Sequence, residues 1–459
     1  MKQVIKEKFW LLFVLVSTIS MLSGCVALRP APNTPEVAMP TTYTQATSVD
    51  TSKLMSWFEL YQDTVLLRFI KSALDSNRNI LAASYRIEES REIAGIVRAN
   101  LYPAFGYQVQ AGGGTAGIEA RKIGAGVEGG AIRTFGAIQW ELDVWGRIRS
   151  SNEAALRRFA ADVESQQSLV VSLVAEVAAQ YFLLRDLDNR LAIAKKTRDL
   201  RAESTKIIRE RFNKGYIAEV DLLQAEQQEA LAAAAIPAFE RQIIVVQNAI
   251  RTLMGQGPGP LPRGKSLFDQ MTTPSIPVGL PSQLLIRRPD IREATQLLEG
   301  QFYNIQIAKA GLYPQLSLTG VLGFASPQLS SLVSSDGRVA NGFAGLLGPI
   351  FQFGQLRRRV RVEELRTKQL AYAWEQTWLR ALGEVDNALA QYRTLEEEYT
   401  IRSAQTKAAR KALELTRAKY DYGYSSYYEV LIQENYLFDA ELAESLTYQL
   451  RLNALVQLY

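Results

Sequence analysis

The sequence predicts an α+β membrane protein in which three chains share one β-barrel, with four strands per chain, that continues into a long α-helical barrel. Three observations lead to this fold class. The chain repeats itself at an offset of about 210 residues, a long helix with an apolar heptad follows a glycine, and segments with alternating apolar and polar residues precede that glycine. Two internal structural repeats are therefore expected, each with a β-hairpin and a long helix.

The composition argues against most catalytic and metal-binding chemistry. The 459 residues include no histidine, so the usual neutral-pH acid–base group and the commonest metal ligand are missing. Cys25 is the only cysteine, which excludes disulfides and thiolate metal cages. We therefore expect no enzyme, no metal site and no cofactor. The net charge of +5 is spread along the chain and gives no reason to expect nucleic acid as a partner.

The N-terminus predicts export and a lipid anchor. A lysine-rich start precedes the apolar run Phe9–Met21, which is typical of a secretory signal and too short to span a membrane. Residues 1–24 are thus a predicted signal peptide. Cys25 follows Leu-Ser-Gly, which resembles the bacterial lipobox. The resemblance to lipoproteins implies that Val26, which is not aspartate, permits sorting to the outer membrane. We predict that Cys25 anchors an extended segment, 25–64, through lipid; an ordinary signal peptide with an incidental cysteine is the alternative.

No transmembrane helix is expected after Cys25. The most apolar stretch, Leu169–Leu184, is interrupted by Glu176 and Gln180. A segment that crosses a bilayer would therefore have to belong to a β-barrel.

Matching motifs define the two copies. Three pairs recur at a nearly constant offset: Ala99–Pro103 with Ala310–Pro314, Trp145-Gly146 with Phe353-Gly354, and Gly215-Tyr216 with Gly423-Tyr424. The glycines of the last two motifs are 69 residues apart in both copies. We assign the first repeat to residues 65–254 and the second to residues 289–459. A Pro/Gly-rich equatorial linker, 255–288, joins them.

Each copy is predicted to contain a helix, two strands, a long helix, a turn and a returning helix. The leading helices are placed at 65–99 and 289–311, because Pro289-Asp290 suits a helix start and Leu-Tyr-Pro ends both helices. The long helices are placed at 146–213 and 355–421, each about 100 Å long. A tip and a returning helix follow each of them.

The first long helix carries a heptad typical of a coiled coil. Two residue sets repeat at seven positions: Leu156, Val163, Val170, Val177, Leu184 and Leu191, and three positions later Phe159, Gln166, Leu173, Gln180, Leu187 and Ala194. The looser second heptad consists of Leu365, Tyr372, Leu379, Leu382 and Leu389. A long helical bundle without a lumen would contain the same heptads.

The β-hairpins are predicted at about 104–144 and 315–353. Apolar residues alternate with polar ones in four segments: Phe105, Tyr107, Val109 and Ala111; Ile138, Trp140, Leu142 and Val144; Leu316, Leu318, Leu322 and Phe324; and, more weakly, Phe343, Leu347 and Phe351. One apolar and one polar face are typical of strands between lipid and a wet interior. An antiparallel sheet packed on helices has the same alternation.

Four strands cannot close a barrel, and lipid does not tolerate an open sheet edge. Either the sheet is soluble, or several chains contribute to one barrel. Three chains would supply twelve strands, which is enough to leave a channel. The predicted pore-lining residues on the polar face are Gln108, Gln139, Glu141, Asp143 and Ser317.

The combined pattern resembles the TolC-like outer-membrane efflux proteins, and especially their lipoprotein branch, the outer-membrane factors of RND-type efflux. Arg288–Asp290 resembles the Arg-Pro-Asp signature that opens the second repeat of that branch. Trp57 with Asp63 resembles its opening helix, and Leu312–Leu318 resembles the entry to its third strand. The likeness covers nearly all of residues 52–459.

The resemblance implies a homotrimer with a twelve-stranded barrel in the outer membrane and a twelve-helix barrel across the periplasm. It implies a periplasmic adaptor and an inner-membrane RND-type pump as partners. The chain would be a passive duct for drugs or toxic compounds, lipid-anchored in the outer membrane of a Gram-negative bacterium.

The resemblance also implies a gate at the helix tips. In the family, an aromatic residue precedes each tip glycine by three positions and an acid follows it by six. The implied gate residues are Phe212, Gly215, Asp221, Tyr420, Gly423 and Glu429. Three copies of each acid would form a negative ring, and Tyr420 would hydrogen-bond Asp221 across adjacent tips. The alternative is that both acids are first-turn residues favoured by the helix dipole.

Two positions depart from the family's gate. Some members have an arginine where this chain has Ser425 and an acid where it has Ile432. The tyrosines at positions 422, 424, 427 and 428 would then support the gate or pack at the adaptor contact.

Three other functions match parts of the sequence. A duct for type I protein secretion has the same architecture, and a non-transporting coiled-coil lipoprotein would share the long helices but have no use for the strands. An enzyme with paired carboxylates would draw on runs such as Glu396–Glu398, which a solvated helix face explains better.

Overall fold

The computed structural model describes residues 61–114, 129–270 and 287–458. The predicted signal peptide, the anchor Cys25, Trp57, the first hairpin turn at 115–128 and residues 271–286 of the linker lie outside these ranges. The described helices and strands are α1 (Thr64–Ser76), α2 (Arg78–Ala99), β1 (Ala104–Gly114), β2 (Gly129–Leu142), α3 (Arg147–Asn213), α4 (Glu219–Leu253), α5 (Pro289–Ala310), β3 (Gln315–Ser326), β4 (Arg338–Leu347), α6 (Gln355–Asp421) and α7 (Tyr427–Leu458).

The two halves of the chain are built alike. Helices α2 and α5 both have 22 residues, and the long helices α3 and α6 both have 67. Each long helix begins directly after a glycine in the left-handed region, Gly146 with φ 73° and Gly354 with φ 81°, a conformation that glycine adopts without steric cost. The equal helix lengths confirm the two structural repeats.

The chain forms two compact units. The sheet unit consists of the described residues of Tyr85–Glu164 and Arg292–Gln376 and contains all four strands. The helical unit consists of residues 61–84 with the described residues of Ser165–Ile291 and Thr377–Tyr459.

The sheet is antiparallel, with the strand order β1-β2-β3-β4. Residues directly opposite each other on neighbouring strands share a face, so the register assigns every position. The larger apolar side chains of one face are Phe105, Tyr107, Val109, Ile132, Ile138, Trp140, Leu142, Leu316, Leu318, Leu322, Phe324 and Leu346. The polar side chains of the other face are Gln108, Gln110, Arg133, Gln139, Glu141, Gln315, Ser317, Thr319 and Asn341.

The predicted facing of the fourth strand is wrong. Phe343 lies opposite Thr319 on the polar face, and Leu347 shares that face four residues later. Leu346 lies on the apolar face, and Phe351 lies beyond the end of β4. The three apolar-face positions before Leu346 are Ala340, Gly342 and Ala344, which a search for large apolar side chains does not register.

The predicted leading helix 65–99 is two helices, because the backbone at Asn77 is extended, with ψ 126°. The side-chain amide of Asn77 donates to the carbonyl of Leu253 over 2.8 Å, and its oxygen accepts from the backbone N–H groups of Asn79 and Ile80. Asn77 therefore ends α1 and caps α2, as asparagine often does at helix starts.

The main core of the helical unit lies along α3. Its largest buried side chains there are Tyr181, Phe182 and Leu184, and they pack with residues of α1, α4 and α7. Five residues of the predicted heptad are buried: Leu173, Val177, Leu184, Leu187 and Ala194. Val174, Ala178, Tyr181 and Phe182 are buried beside them, so α3 buries a broader stripe than a coiled-coil seam.

Helix α3 also contains an 18-residue window that is long and apolar enough, by length and composition, to cross a membrane. Glu176 and Gln180 interrupt the most apolar stretch of this helix, Leu169–Leu184, and argue against a membrane span. The burial of Val177 and Phe182 in the core explains its apolar character without a membrane.

Only the end of the second predicted heptad is covered in this chain, where Leu382 is half-buried and Leu389 is buried. Leu365, Tyr372 and Leu379 are exposed, whereas Trp374 and Trp378 on another side of α6 are buried. The heptad pattern identified apolar side chains but not the surface that covers them.

Asp63 connects α1 and α3 to residues near the end of the first repeat. One carboxylate oxygen accepts from the backbone N–H of Val65 over 2.8 Å, which caps α1. The other accepts from the hydroxyl of Tyr181 over 2.7 Å, the N–H of Lys265 over 2.8 Å and the amide of Gln270 over 3.0 Å. These bonds fix part of the predicted linker against the helices.

The buried carboxylate of Asp63 has little free space around it. A Cβ atom at Gly264 would lie 2.1 Å from one of its oxygens. Burial by itself raises the pKa of Asp63, but its hydrogen bonds outweigh that effect and hold the pKa below its ordinary value. The carboxylate is therefore ionised at neutral pH.

Candidate functional site at the helix tips

The two long helices end in turns of the same design. Gly215 (φ 76°) follows α3, and Gly423 (φ 80°) follows α6. The N–H of Tyr216 donates to the carbonyl of Arg211 over 2.9 Å, and that of Tyr424 donates to the carbonyl of Lys419 over 2.8 Å. Both are Schellman turns, in which a left-handed glycine ends the helix. The structure thus places both candidate tip glycines at hairpin turns of the helical unit.

Phe212 packs inside the first tip. It lies half-buried against a cluster of Ile208, Leu222 and Ala225 that joins the ends of α3 and α4. Ile217 packs against the same cluster. The aromatic residue before the first tip glycine therefore holds the two helices of its own hairpin together.

Tyr420 contacts the first repeat through Arg211. The Arg211 guanidinium lies 5.1 Å from the centre of the Tyr420 ring and donates to its hydroxyl. The structure thus brings Arg211, and not the expected Asp221, to the hydroxyl of Tyr420. Burial raises the pKa of Tyr420, and the charge of Arg211 lowers it, while the charges of Asp421 and Asp221 raise it. Asp221 therefore acts on the phenol at longer range.

The two candidate gate acids lie in first turns of helices, Asp221 in α4 and Glu429 in α7. Glu429 is exposed and accepts from the hydroxyl of Ser425 over 2.7 Å. Its backbone N–H donates to the hydroxyl of Ser426 over 3.4 Å, which caps α7. Ser425 thus binds the acid directly.

A buried charge cluster lies above the tips, and the sequence interpretation missed it. Arg201 is 2% exposed and donates to the carbonyl of Gln228 and to the side chain of Asn435, both over 2.7 Å. Arg417 binds one oxygen of buried Glu434 over 2.6 Å, and Arg201 lies 4.0 Å from the other. Burial lowers the pKa of Arg201, and the charge of Glu434 opposes that shift.

The cluster joins four helices of the helical unit, because Arg201 belongs to α3, Gln228 to α4, Arg417 to α6 and Glu434 to α7. A lone arginine on a charged helix reads as a surface residue. Only the spatial meeting with Glu434 reveals its burial, so no local sequence signal would have found it.

Three predicted pore-lining residues, Gln108, Gln139 and Ser317, lie on the polar face of the sheet. Glu141 shares that face but forms two bonds with the Arg147 guanidinium, 3.0 and 2.6 Å long.

Asp143 lies one residue beyond the end of β2 and caps α3. Its carboxylate accepts from the backbone N–H groups of Ile148 over 2.9 Å and Arg149 over 2.8 Å. The side chain of Arg149 also donates to it over 3.1 Å. This carboxylate is therefore bound at a helix N-terminus, where the helix dipole favours an anion.

The Arg-Pro-Asp signature is a local clamp at the start of α5. Arg288 donates to both oxygens of Asp290, over 3.1 and 2.8 Å, and to Glu384 of α6 over 2.6 Å. Burial raises the pKa of Asp290, but the bonds and charge of Arg288 outweigh it and lower the pKa. The signature thus fixes α5 to α6 within the helical unit.

Comparison with known proteins places these features in one family. The family of outer membrane efflux proteins matches residues 69–256 and 280–459. The solvent efflux pump outer membrane protein SrpC of Pseudomonas putida is 31% identical over 404 residues, which cover 87% of this chain and 85% of SrpC. SilC of Salmonella typhimurium, named a probable outer membrane lipoprotein, is 27% identical and covers 97% of both chains.

Solved structures agree with the sequence comparison. The open state of the Neisseria gonorrhoeae MtrE outer membrane channel superposes with a TM-score of 0.86 at 29% identity, covering 94% of this chain and 96% of MtrE. A crystal structure of CusC has the same TM-score at 26% identity and covers 94% and 98% of the two chains. The chain therefore belongs to the outer membrane efflux protein family, whose members are the trimeric outer-membrane channels of tripartite efflux systems.

Proposed function

We propose that this chain is the passive duct of its efflux system, gated at the helix tips and anchored through Cys25. The observation that carries the proposal is the four-stranded sheet with one apolar face, one polar face and two edge strands, β1 and β4. Backbone groups on such edges must be paired inside a bilayer. Three copies supply the twelve strands of one closed barrel.

The polar face would line the lumen. Gln108, Gln139 and Ser317 offer uncharged amide and hydroxyl groups. They would line a hydrated lumen that many small solutes can pass. Selectivity would then reside in the inner-membrane RND-type pump and its periplasmic adaptor, with which channels of this family work. The channel itself would carry out no reaction.

The exported compounds are proposed to be small and toxic. Relatives of this chain are named for solvent, toluene and cation efflux. None of those names describes protein secretion, which favours efflux of small molecules over a type I secretion duct.

The gate would be held by contacts between the two hairpins. Arg211 of the first repeat donates to Tyr420 of the second, and Asp221 and Glu429 would add negative charge around the entrance in each of three chains. The bond between Ser425 and Glu429 would restrain that acid where some family members use an arginine.

Reconstitution in planar lipid bilayers tests the duct. The purified protein should migrate as a heat-sensitive trimer and open discrete conducting steps. A water-soluble monomer that never conducts would exclude a channel. Deletion of the gene should also raise susceptibility to solvents or drugs only in cells that contain the cognate pump, whereas loss of protein secretion would favour the type I alternative.

A further inference from the structure

We propose that β4 of one protomer pairs with β1 of the next in a register set by the internal repeat, with Leu346 opposite Val109 of the partner subunit. The inference rests on the proposed trimeric duct and specifies the interface that closes it. Within one chain the first repeat meets the second at β2 and β3. In a closed ring the second repeat must also meet the first repeat of a neighbour.

Two offsets relate the repeats. Tyr102-Pro103 before β1 corresponds to Tyr313-Pro314 before β3, 211 positions later. Trp145-Gly146 after β2 corresponds to Phe353-Gly354 after β4, 208 positions later. The first strands of the hairpins are thus related by 211 and the second strands by 208.

The strand pairing inside the two hairpins agrees with the sum of the two offsets. Gln108 of β1 lies opposite Phe135 of β2. The offsets turn this pair into Thr319 and Phe343, which do lie opposite each other in β3 and β4. The repeat therefore preserves the register within each hairpin to the residue, and the flanking motifs assign each offset separately.

The same offsets predict which residues pair between chains, because each residue of the β2–β3 pairing has a counterpart on an edge strand. Ile138 of β2 lies opposite Gly320 of β3, and their counterparts are Leu346 of β4 and Val109 of β1. Both counterparts lie on the apolar face of the sheet. A slip of one residue would place Leu346 against a polar-face position, so the derived register keeps one continuous apolar belt around the barrel.

An aromatic contact just beyond the strands supports this interface. Trp145 stacks on Tyr313 with ring centres 4.7 Å apart and an angle of 21°. The counterparts are Phe353 and Tyr102, which are 87% and 60% exposed in the single chain. Phe353 also has a left-handed backbone, with φ 48°, which is unfavourable for a side chain of this size. Contact with Tyr102 of the partner subunit would cover both rings.

A contact between helices α3 and α5 also has exposed counterparts, which lie on α6 and α2. Arg157 of α3 binds Glu299 of α5 over 2.6 Å and Gln296 over 3.0 Å. The counterpart of Arg157 is Leu365, which is 43% exposed, and that of Gln296 is Tyr85, which is 70% exposed. The hydrogen-bonded pair Arg157 and Gln296 thus has two exposed apolar counterparts, whereas the counterpart of Glu299 is Glu88. Large apolar side chains at these positions are expected to be buried by a second copy.

Disulfide cross-linking tests the register. The pair Val109→Cys with Leu346→Cys should form a covalent trimer in the assembled channel under mild oxidation, because opposed strand residues meet disulfide geometry. The control pair Phe105→Cys with Leu346→Cys is displaced by four residues, about 13 Å along the strand, and should stay monomeric on denaturing gels. Each single variant, with native Cys25 retained, controls for other thiol reactions.

A second pair in the same register, Ala111→Cys with Ala344→Cys, should also cross-link and provides the test if the first pair fails to assemble. Trimers that conduct but cross-link through Phe105→Cys, or through neither matched pair, would overturn the register while leaving the duct intact. Monomers that neither cross-link nor conduct, including the unmodified protein, would instead refute the proposed function.

Discussion

The contact between Arg211 and Tyr420 predicts how a single hydroxyl group affects opening of the channel. In Tyr420→Phe the aromatic ring stays, so its contact with the guanidinium, 5.1 Å away, is retained. Only the hydrogen bond from Arg211 is lost. A bond to a charged donor contributes about 1.5–3 kcal/mol, but Arg211 is exposed, so solvent screening reduces this to about 0.5–1 kcal/mol.

The trimer contains three such contacts. If the three tips separate together, Tyr420→Phe destabilises the closed state relative to the open state by about 1.5–3 kcal/mol. The ratio of closed to open channels then falls roughly tenfold to 150-fold. The effect should appear as longer open times and higher mean conductance in planar bilayers. It should weaken with added salt, because the contact involves an exposed charge.

The matched control is Tyr422→Phe, which alters an exposed tyrosine two residues away and should leave gating unchanged. Arg211→Gln should affect gating at least as much as Tyr420→Phe, because it removes the contact with the ring as well as the hydrogen bond. The double variant should add little to Arg211→Gln, because the hydrogen bond can be lost only once. Wild-type gating in Tyr420→Phe, or full additivity in the double variant, would refute this role for the contact.

Four further outcomes are expected. Asp63→Ala should lower the unfolding free energy by about 2–4 kcal/mol, because it leaves buried donors without an acceptor; thermal unfolding by circular dichroism measures it, and Asp63→Asn should cost less. Because the folded pKa of Asp63 is lowered, its contribution should persist above about pH 4 and disappear as the pH falls through the folded pKa; a pH-independent difference between wild type and Asp63→Asn would contradict this. Gly264→Ala should destabilise by about 1–3 kcal/mol, since its Cβ would meet the Asp63 carboxylate, whereas exposed Gly257→Ala, with open space around it, should not. Cys25→Ser should abolish the acyl mass that intact-protein mass spectrometry detects on the wild type.

Much of the fold follows from patterns that are local or periodic. The repeated Gly-aromatic motifs predicted two equal long helices, and α3 and α6 both have 67 residues. The alternation in β1 to β3 predicted the correct apolar face, because large side chains occupy it. In β4 the small residues Ala340, Gly342 and Ala344 occupy that face, and the pattern pointed to the wrong side.

The parts that the sequence could not predict depend on pairs of residues far apart in the chain. Asp186 is fully buried on α3 because Ser445 of α7 donates to it over 2.6 Å and Arg190 lies beside it. Arg201 is buried for the same kind of reason. A polar side chain reads as a surface residue until its distant partner is known.

The gate residues illustrate the limit of a motif. Position relative to the tip glycine identified Phe212 and Tyr420 as candidates, yet the two side chains have different contacts. Phe212 packs inside its own hairpin, whereas Tyr420 reaches Arg211 of the other repeat. Equivalent positions in an internal repeat therefore need not share a function, because each copy meets different neighbours.

The exposed residues of the second heptad are a further case in which equivalent positions of the two repeats have different neighbours. An apolar pattern states only that side chains avoid water, and it does not say whether their own chain or another covers them. Leu365 and Tyr372 are exposed, whereas their counterparts in the first repeat, Arg157 and Glu164, form ion pairs with α5. Since the chain uses charged residues where it meets itself and apolar residues at the uncovered equivalents, Leu365 and Tyr372 are best explained as a surface for the next subunit.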